Sequence, residues 1–184
     1  MTLATDRLIL RPWCDDDAPM LYHYAKDPAI GPIAGWPPHQ SVEESLEIIR
    51  TVFSAPETYA ICLRDTGEPI GCIGLQQEGA ANVPLAPGEA ELGYWVGKSH
   101  WGKGYTPEAA RALIAHAFND LGFTALWCSC NSINTQSKRV MEKCGFTTVR
   151  IEEKPLFSQD DDGWTFTGDT RSDIVTRLTR EEWM

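Results

Sequence analysis

The run Gly97-Lys98-Ser99-His100-Trp101-Gly102-Lys103-Gly104-Tyr105-Thr106-Pro107-Glu108-Ala109 concentrates residue types suited to holding an anion. Closely spaced glycines let a backbone approach a ligand, and a helix opening behind them presents free N–H groups and the positive end of its dipole. Thr106 fits the N-cap and Pro107 the first helical position. Such a turn suits a phosphate or pyrophosphate and equally serves as a plain strand-to-helix connection. A dinucleotide fingerprint would need a third glycine and a parallel βαβ unit, which this run lacks. Gly97 and Gly102-Lys103 keep the G-x-x-x-x-G-K spacing of a phosphate-binding loop. Gly104 then stands where that loop needs a hydroxyl for Mg²⁺. A P-loop phosphotransferase is therefore an alternative reading without its metal-holding group.

A second group of residues carries proton-transfer chemistry. In Asn134-Thr135-Gln136-Ser137 the amide and hydroxyl can hold or protonate a ligand, or cap the helix that starts there. Glu91, Glu89 and His39 are the candidate bases. Strand alternation sets Glu91 on the face of Gly93 and Trp95. His39 has a near-neutral imidazole but follows Trp36-Pro37-Pro38, where an exposed turn residue is the plainer reading. His100 is read as structural. No G-x-S-x-G elbow marks a serine nucleophile. The six cysteines (Cys14, Cys62, Cys72, Cys128, Cys130, Cys144) are read as reduced core residues, and Cys128 and Cys130 lack a second pair at zinc spacing, so no metal is expected. Ser158-Gln159-Asp160-Asp161-Asp162-Gly163 with Asp169 half-matches a calcium loop, but its first and last ligands and flanking helices are missing.

The elements that position these residues follow from periodicity and turn chemistry. Arg7 to Trp13 reads as a strand, and Asp15 to Asp17 offer N-caps for a helix to about Lys26. Gly31 to His39 is a Pro/Gly loop, and Ser41 with Glu44 forms a capping box before a helix striped with Leu46, Ile49 and Phe53. Strands at 58–64 and 69–75 join through Asp65-Thr66-Gly67-Glu68, and a third runs from Glu89 to Gly97. The helix from Pro107 buries Ala110, Leu113, Ile114, Ala117, Phe118 and Leu121 and closes at Gly122. A strand over Thr124–Cys130, a short helix ending at Gly145, a strand from Phe146 and a last strand near Asp173 to Leu178 complete the order β-α-α-β-β-β-α-β-α-β-β. That order predicts an α/β (α+β) fold with a mixed, mostly antiparallel sheet of about seven strands and helices on both faces.

At 184 residues the chain is expected to be a single domain, 1–184. Its formal net charge of −10 and lack of a Lys/Arg cluster argue against nucleic acid as a partner. No apolar run approaches the roughly 20 residues a membrane span needs, and Asp6 and Arg7 interrupt the start where an export signal would lie. No membrane partner and a cytoplasmic location are expected.

Trp101-Gly102-Lys103-Gly104-Tyr105-Thr106-Pro107-Glu108-Ala109, Asn134-Thr135-Gln136-Ser137 and Glu142-Lys143-Cys144-Gly145-Phe146 together resemble the GNAT N-acetyltransferases, and within them the RimJ/RimL-type group that acetylates protein N-termini. The resemblance runs from about Thr5 to the C-terminus. It implies acetyl-CoA in a V-shaped opening between the strands at Glu91–Gly97 and Thr124–Cys130. The backbone of Trp95, Val96 and Gly97 would meet the pantetheine arm, and the turn Trp101, Gly102, Lys103, Gly104, Tyr105 and Thr106 the pyrophosphate. Asn134 would bind the cofactor, Ser137 would bind it and protonate the leaving thiolate, and Glu91 or His39 would serve as base. Trp36, His39 and Glu89 are assigned to the acceptor. Two departures stand out: Thr106 at the turn's last position, and Met141 where many members carry a proton-donating Tyr. The implied activity is direct attack of a primary amine on the thioester, the amine being a protein N-terminus, a polyamine or another small amine. A non-catalytic CoA-binding module is the further alternative. The enzyme is expected as monomer or homodimer.

Overall fold

The computed structural model describes residues 1–160 and 163–184. Its strands are β1 (Leu3–Ala4), β2 (Leu8–Arg11), β3 (Thr58–Leu63), β4 (Pro69–Gln76), β5 (Glu89–Val96), β6 (Ala125–Asn131), β7 (Thr147–Asp160) and β8 (Gly163–Thr179). They form one eight-stranded sheet in the order β1-β2-β3-β4-β5-β6-β8-β7. Every pairing is antiparallel except β5 with β6. The helices are α1 (Ala18–Ala25), α2 (Gly31–Ala34), α3 (Val42–Thr51), α4 (Tyr105–Asn119), α5 (Thr135–Lys143) and α6 (Arg180–Trp183).

Alternation along β5 shows how the two faces are covered. Leu92 and Val96 join the main core with the fully buried stripe Ala110, Leu113, Ile114, Ala117 and Phe118 of α4. Trp95 points the other way and packs with Ala18, Leu21, Ala25 and Ile49 of α1 and α3. Gly97, at the end of β5, lets α1 lie close: a Cβ there would sit 2.2 Å from Tyr24 Cδ1.

The feature that creates a site is the short parallel pairing. β5 and β6 match only at Glu89↔Ala125, Ala90↔Leu126 and Glu91↔Trp127. Beyond Glu91, β5 stays on β4 as far as Gly71↔Val96, while β6 follows β8 as far as Asn131↔Asp173. The two strands splay into a V whose unpaired edges face each other.

The structure amends several local expectations. The sheet gains an edge strand, Leu3–Ala4. The segment read as a loop contains the single turn α2, because Pro32 suits a first-turn position and Gly35, at φ 95°, terminates it. Helix α4 begins at Tyr105 with Gly104 as N-cap, so Thr106 and Pro107 lie inside its first turn; the left-handed Gly104 (φ 79°) makes the entry. Leu121 lies past the C-cap Asp120 and is exposed. The Asp17 carboxylate makes no cap bond to α1; it accepts from both Arg11 Nη atoms at 2.7 Å and, one turn back, from the Cys14 N–H at 3.0 Å. The last two strands are far longer than expected and form a hairpin where an irregular acidic stretch was anticipated. Asp161 and Asp162 of the half-matched calcium loop lie outside the described residues. Cys14 is exposed and Cys130 half-buried, so four of the six cysteines are buried. Among the described residues no His, Cys, Asp and Glu side chains gather as a metal site, and no helix is long and apolar enough to cross a membrane.

Candidate active site

The glycine turn sits at the mouth of the V. Gly102 (φ 75°) and Gly104 (φ 79°) adopt left-handed backbone that a side chain would strain. The N–H groups of Gly102, Lys103, Gly104, Tyr105 and Thr106 meet no acceptor among the described residues. Five donors with no internal partner, in front of a 15-residue helix, are what a diphosphate requires. Arg7 braces the turn from the strand side: Nη1 donates to the Lys103 carbonyl at 3.0 Å, Nε to Glu108 Oε2 at 2.7 Å, and the guanidinium stacks 4.7 Å from the Tyr105 ring centroid.

A cavity of about 500 Å³ runs from this turn into the V, lined among others by Trp95, Val96, His100, Trp101, Gly102 and Gly104. Tyr105, Thr106 and, from α5, Asn134, Ser137 and Arg139 complete its walls. Not every backbone group expected to meet an elongated ligand is open. The Val96 carbonyl accepts from Trp101 Nε1 at 2.9 Å, and the Gly97 N–H donates to Ile70 at 2.8 Å. Neither Gly97 nor Lys103 lines the cavity.

A second cavity of about 810 Å³ opens on the α1/α3 face. It brings together Trp36, His39, Glu91, Ser129 and Asp173, from four separated segments. Glu91 is 2% exposed. Its carboxylate accepts from Ser129 Oγ at 2.6 Å and from the Asn82 N–H at 2.5 Å. His39 is buried, with Nδ1 2.8 Å from Ser45 Oγ, so it is not the exposed turn residue the plainer reading expected; burial holds its pKa below the usual imidazole value. Trp36 lies between His39 and Trp95, each ring centroid 5.5 Å from its own. Glu89 lines neither cavity. Its carboxylate is pinned by Ala86 N–H, Trp127 Nε1 and Arg177 Nη2, which outweigh partial burial and hold it below the ordinary carboxylate range.

The two cavities meet at Ile33, Ala34, Tyr94, Trp95, Asn134 and Ser137. Asn134 caps α5, its Oδ1 accepting from the Ser137 N–H at 3.0 Å, which sets the Ser137 side chain at the junction. Tyr94, which sequence reasoning did not single out, places its hydroxyl 3.0 Å from Ser137 Oγ and 3.2 Å from the Ser137 carbonyl. Burial pushes the Tyr94 phenol well above its usual range, so it stays protonated. Met141, standing where many GNAT members carry a proton-donating Tyr, is buried and its sulfur accepts from Thr176 Oγ1 at 3.2 Å. No spacing rule along the chain links positions 94 and 137; strand alternation alone would have pointed Tyr94 away from Glu91.

The chain is 29% identical over 150 residues to Uncharacterized N-acetyltransferase p20 of Bacillus licheniformis, covering 79% of this chain and 82% of that one. It is 33% identical over 94 residues to the FsC-acetyl coenzyme A-N(2)-transacetylase of Aspergillus fumigatus, covering 51% of this chain and 37% of that one. In fold it resembles the GNAT-family acetyltransferase of Bacillus anthracis, with a TM-score of 0.80 at 19% identity, covering 98% of this chain and 99% of that one. The family model for the acetyltransferase (GNAT) domain matches residues 7–147, more than half of the chain, so the protein belongs to the GNAT acetyltransferase family.

Proposed function

We propose that the protein transfers the acetyl group of acetyl-CoA to a primary amine by direct attack, with the cofactor in the turn-side cavity and the amine in the α1/α3-side cavity. The observation that carries this reading is that the two cavities meet at a pair of hydroxyls, Ser137 and Tyr94, which line both and lie 3.0 Å apart. Acetyl-CoA, when bound, supplies the activated acetyl thioester. The five open N–H groups of Gly102 to Thr106 fit its diphosphate, and the splayed edges of β5 and β6 fit an extended arm. The Ser137 hydroxyl delivers a proton to the departing sulfur, held in place by Asn134 and Tyr94. Glu91 receives the proton of the attacking amine by way of the Ser129 hydroxyl or a water, since both its oxygens already face donors. No covalent intermediate on the protein is needed.

The acceptor side favours an amine that rests against aromatic rings, because Trp36 and Trp95 form one wall and Glu91 the floor. Protein N-termini, polyamines and other small amines all meet that description. A thiol-release assay with acetyl-CoA against peptides, polyamines and small amines tests the activity and the acceptor together. Thiol release with one class of amine is expected. Saturable acetyl-CoA binding without release across the panel would leave a binding module, and Mg-ATP binding without coenzyme A binding would favour the phosphotransferase.

A further inference from the structure

The two cavities carry opposite charge, which the composition does not foretell. With 26 Asp and Glu against 16 Lys and Arg, an average surface of this chain holds an excess of acid. The α1/α3-side cavity follows that rule: Glu44, Glu78, Glu91 and Asp173 line it, against Arg171. The turn-side cavity breaks it. Among the described residues no Asp or Glu lines that cavity, whereas Arg139 and Lys143 do.

Both cations come from α5. Gln136, Arg139, Val140 and Lys143 are spaced three or four apart, so they form the one helical face that turns to the cavity. The helix is fixed at both ends. Asn134 caps it beside the junction of the two cavities. At the far end Cys144 Sγ donates to the Pro107 carbonyl at 3.8 Å, and Arg111 Nη2 donates to the Lys143 carbonyl at 2.8 Å. The last turn of α5 therefore stands against the first turns of α4, beside the glycine turn, while Ser137 stands at the junction.

Arg139 and Lys143 are exposed, and neither side chain makes a hydrogen bond or ion pair with a described residue. Like charges four residues apart weaken a helix. The negative end of the helix dipole accounts for Lys143 in the last turn. It does not account for Arg139, which sits at the centre of a nine-residue helix. The pair is open to solvent, free of carboxylates and aimed along one wall, which suits an anion carried by the ligand.

The five open N–H groups of the glycine turn fit a diphosphate with main-chain donors alone. Coenzyme A carries one further phosphate, the 3′-monoester, which holds about −1.5 to −2 charges near pH 7. A guanidinium forks onto phosphate oxygens, and an ammonium adds a point charge beside it. We infer that Arg139 and Lys143 hold the 3′-phosphate of coenzyme A, so that the protein distinguishes coenzyme A from its 3′-dephosphorylated form. The inference rests on the turn-side cavity being the coenzyme A site. No bond of the ligand is made or broken by this contact, and the reacting sulfur lies at the other end of the molecule. The two side chains act on cofactor affinity and leave kcat at saturating cofactor unchanged.

Calorimetric titration of the full chain with coenzyme A and with 3′-dephospho-coenzyme A compares the two ligands directly. Coenzyme A is expected to bind about tenfold more tightly at low salt. The gap should narrow as salt is added, because exposed charges are screened. In the double variant Arg139→Gln, Lys143→Gln, coenzyme A should fall to the affinity of the dephosphorylated ligand, which itself should stay within about twofold of its wild-type affinity. Phosphorus NMR of the wild-type complex supplies a readout that needs no variant: neighbouring cations favour the dianion, so the bound 3′-phosphate should titrate below its free value of about 6. Equal affinity of the wild type for the two ligands, an equal loss of both in the double variant, or a bound 3′-phosphate that titrates as it does in solution overturns the inference alone. Failure of coenzyme A to bind at all overturns the functional reading and this inference with it.

Discussion

The cavity at the glycine turn and the cavity on the α1/α3 face are built by opposite means. The first is made largely of backbone: left-handed Gly102 and Gly104, open N–H groups, and a helix start, drawn mostly from residues 94–107 and the first turns of α5. The second is made of side chains from α2, the following loop, α3 and five strands, with Glu91 at its floor. A backbone site keeps its chemistry when neighbouring side chains change, because the donors belong to the main chain. A side-chain site is only as fixed as the packing behind each residue. In the proposed function, one chain therefore combines a cofactor side that is hard to alter with an acceptor side that is easily retuned.

Substitutions on either side of the Ser137 junction test how separate the two are. Ser137→Ala is expected to lower kcat by about 10²–10⁴-fold while coenzyme A affinity stays within about twofold. Steady-state kinetics paired with calorimetry measure both, and a defect confined to KM would remove Ser137 from proton transfer. Glu91→Gln should lower kcat/KM for the amine by about 10²-fold without affecting coenzyme A binding. A parallel loss of cofactor affinity would show that the cavities are not independent. On the other side, Gly104→Ala forces a side chain into left-handed backbone at about 1–2 kcal/mol, so coenzyme A should bind about tenfold more weakly with the acceptor KM unchanged. Trp36→Ala, which removes an aromatic contact of about 0.5–1.5 kcal/mol, should raise the acceptor KM about two- to tenfold and leave cofactor binding alone.

The smallest expected effect comes from pH. His39 is buried in the wall of the α1/α3-side cavity with a depressed pKa, so the unfolded chain binds a proton that the folded chain refuses. Its contribution to stability is present above pH 6.5 and is lost as the pH falls from there toward the folded-state pKa. Thermal melts from pH 7.5 to 5 should show a decline that His39→Gln reduces; identical profiles would exclude His39 as the cause.

The fold was legible to the extent that its signals are local. The α4 stripe, the Ser41 cap of α3 and the hairpin at Gly67 all depend on residues a few positions apart, and all stand where periodicity and turn chemistry put them. The Glu91 face was legible for the same reason, since alternation is a property of the strand itself. The entry to α4 was misjudged by two residues because a left-handed glycine can cap a helix without a side-chain acceptor. The edge strand Leu3–Ala4 is two residues long, too short for any period to show.

What the sequence determined by itself is the glycine turn, the fold class and the identity of the groups available for proton transfer, because dihedral preference, periodicity and side-chain chemistry are carried by neighbouring residues. What only the tertiary structure decided is which groups meet. Tyr94 reaches Ser137 across 43 positions, and Tyr24 reaches Glu68 across 44 and His100 across 76. These contacts follow from the sheet order and from the early end of the β5–β6 pairing, which are set by how the whole core packs and have no signature in any short stretch of chain.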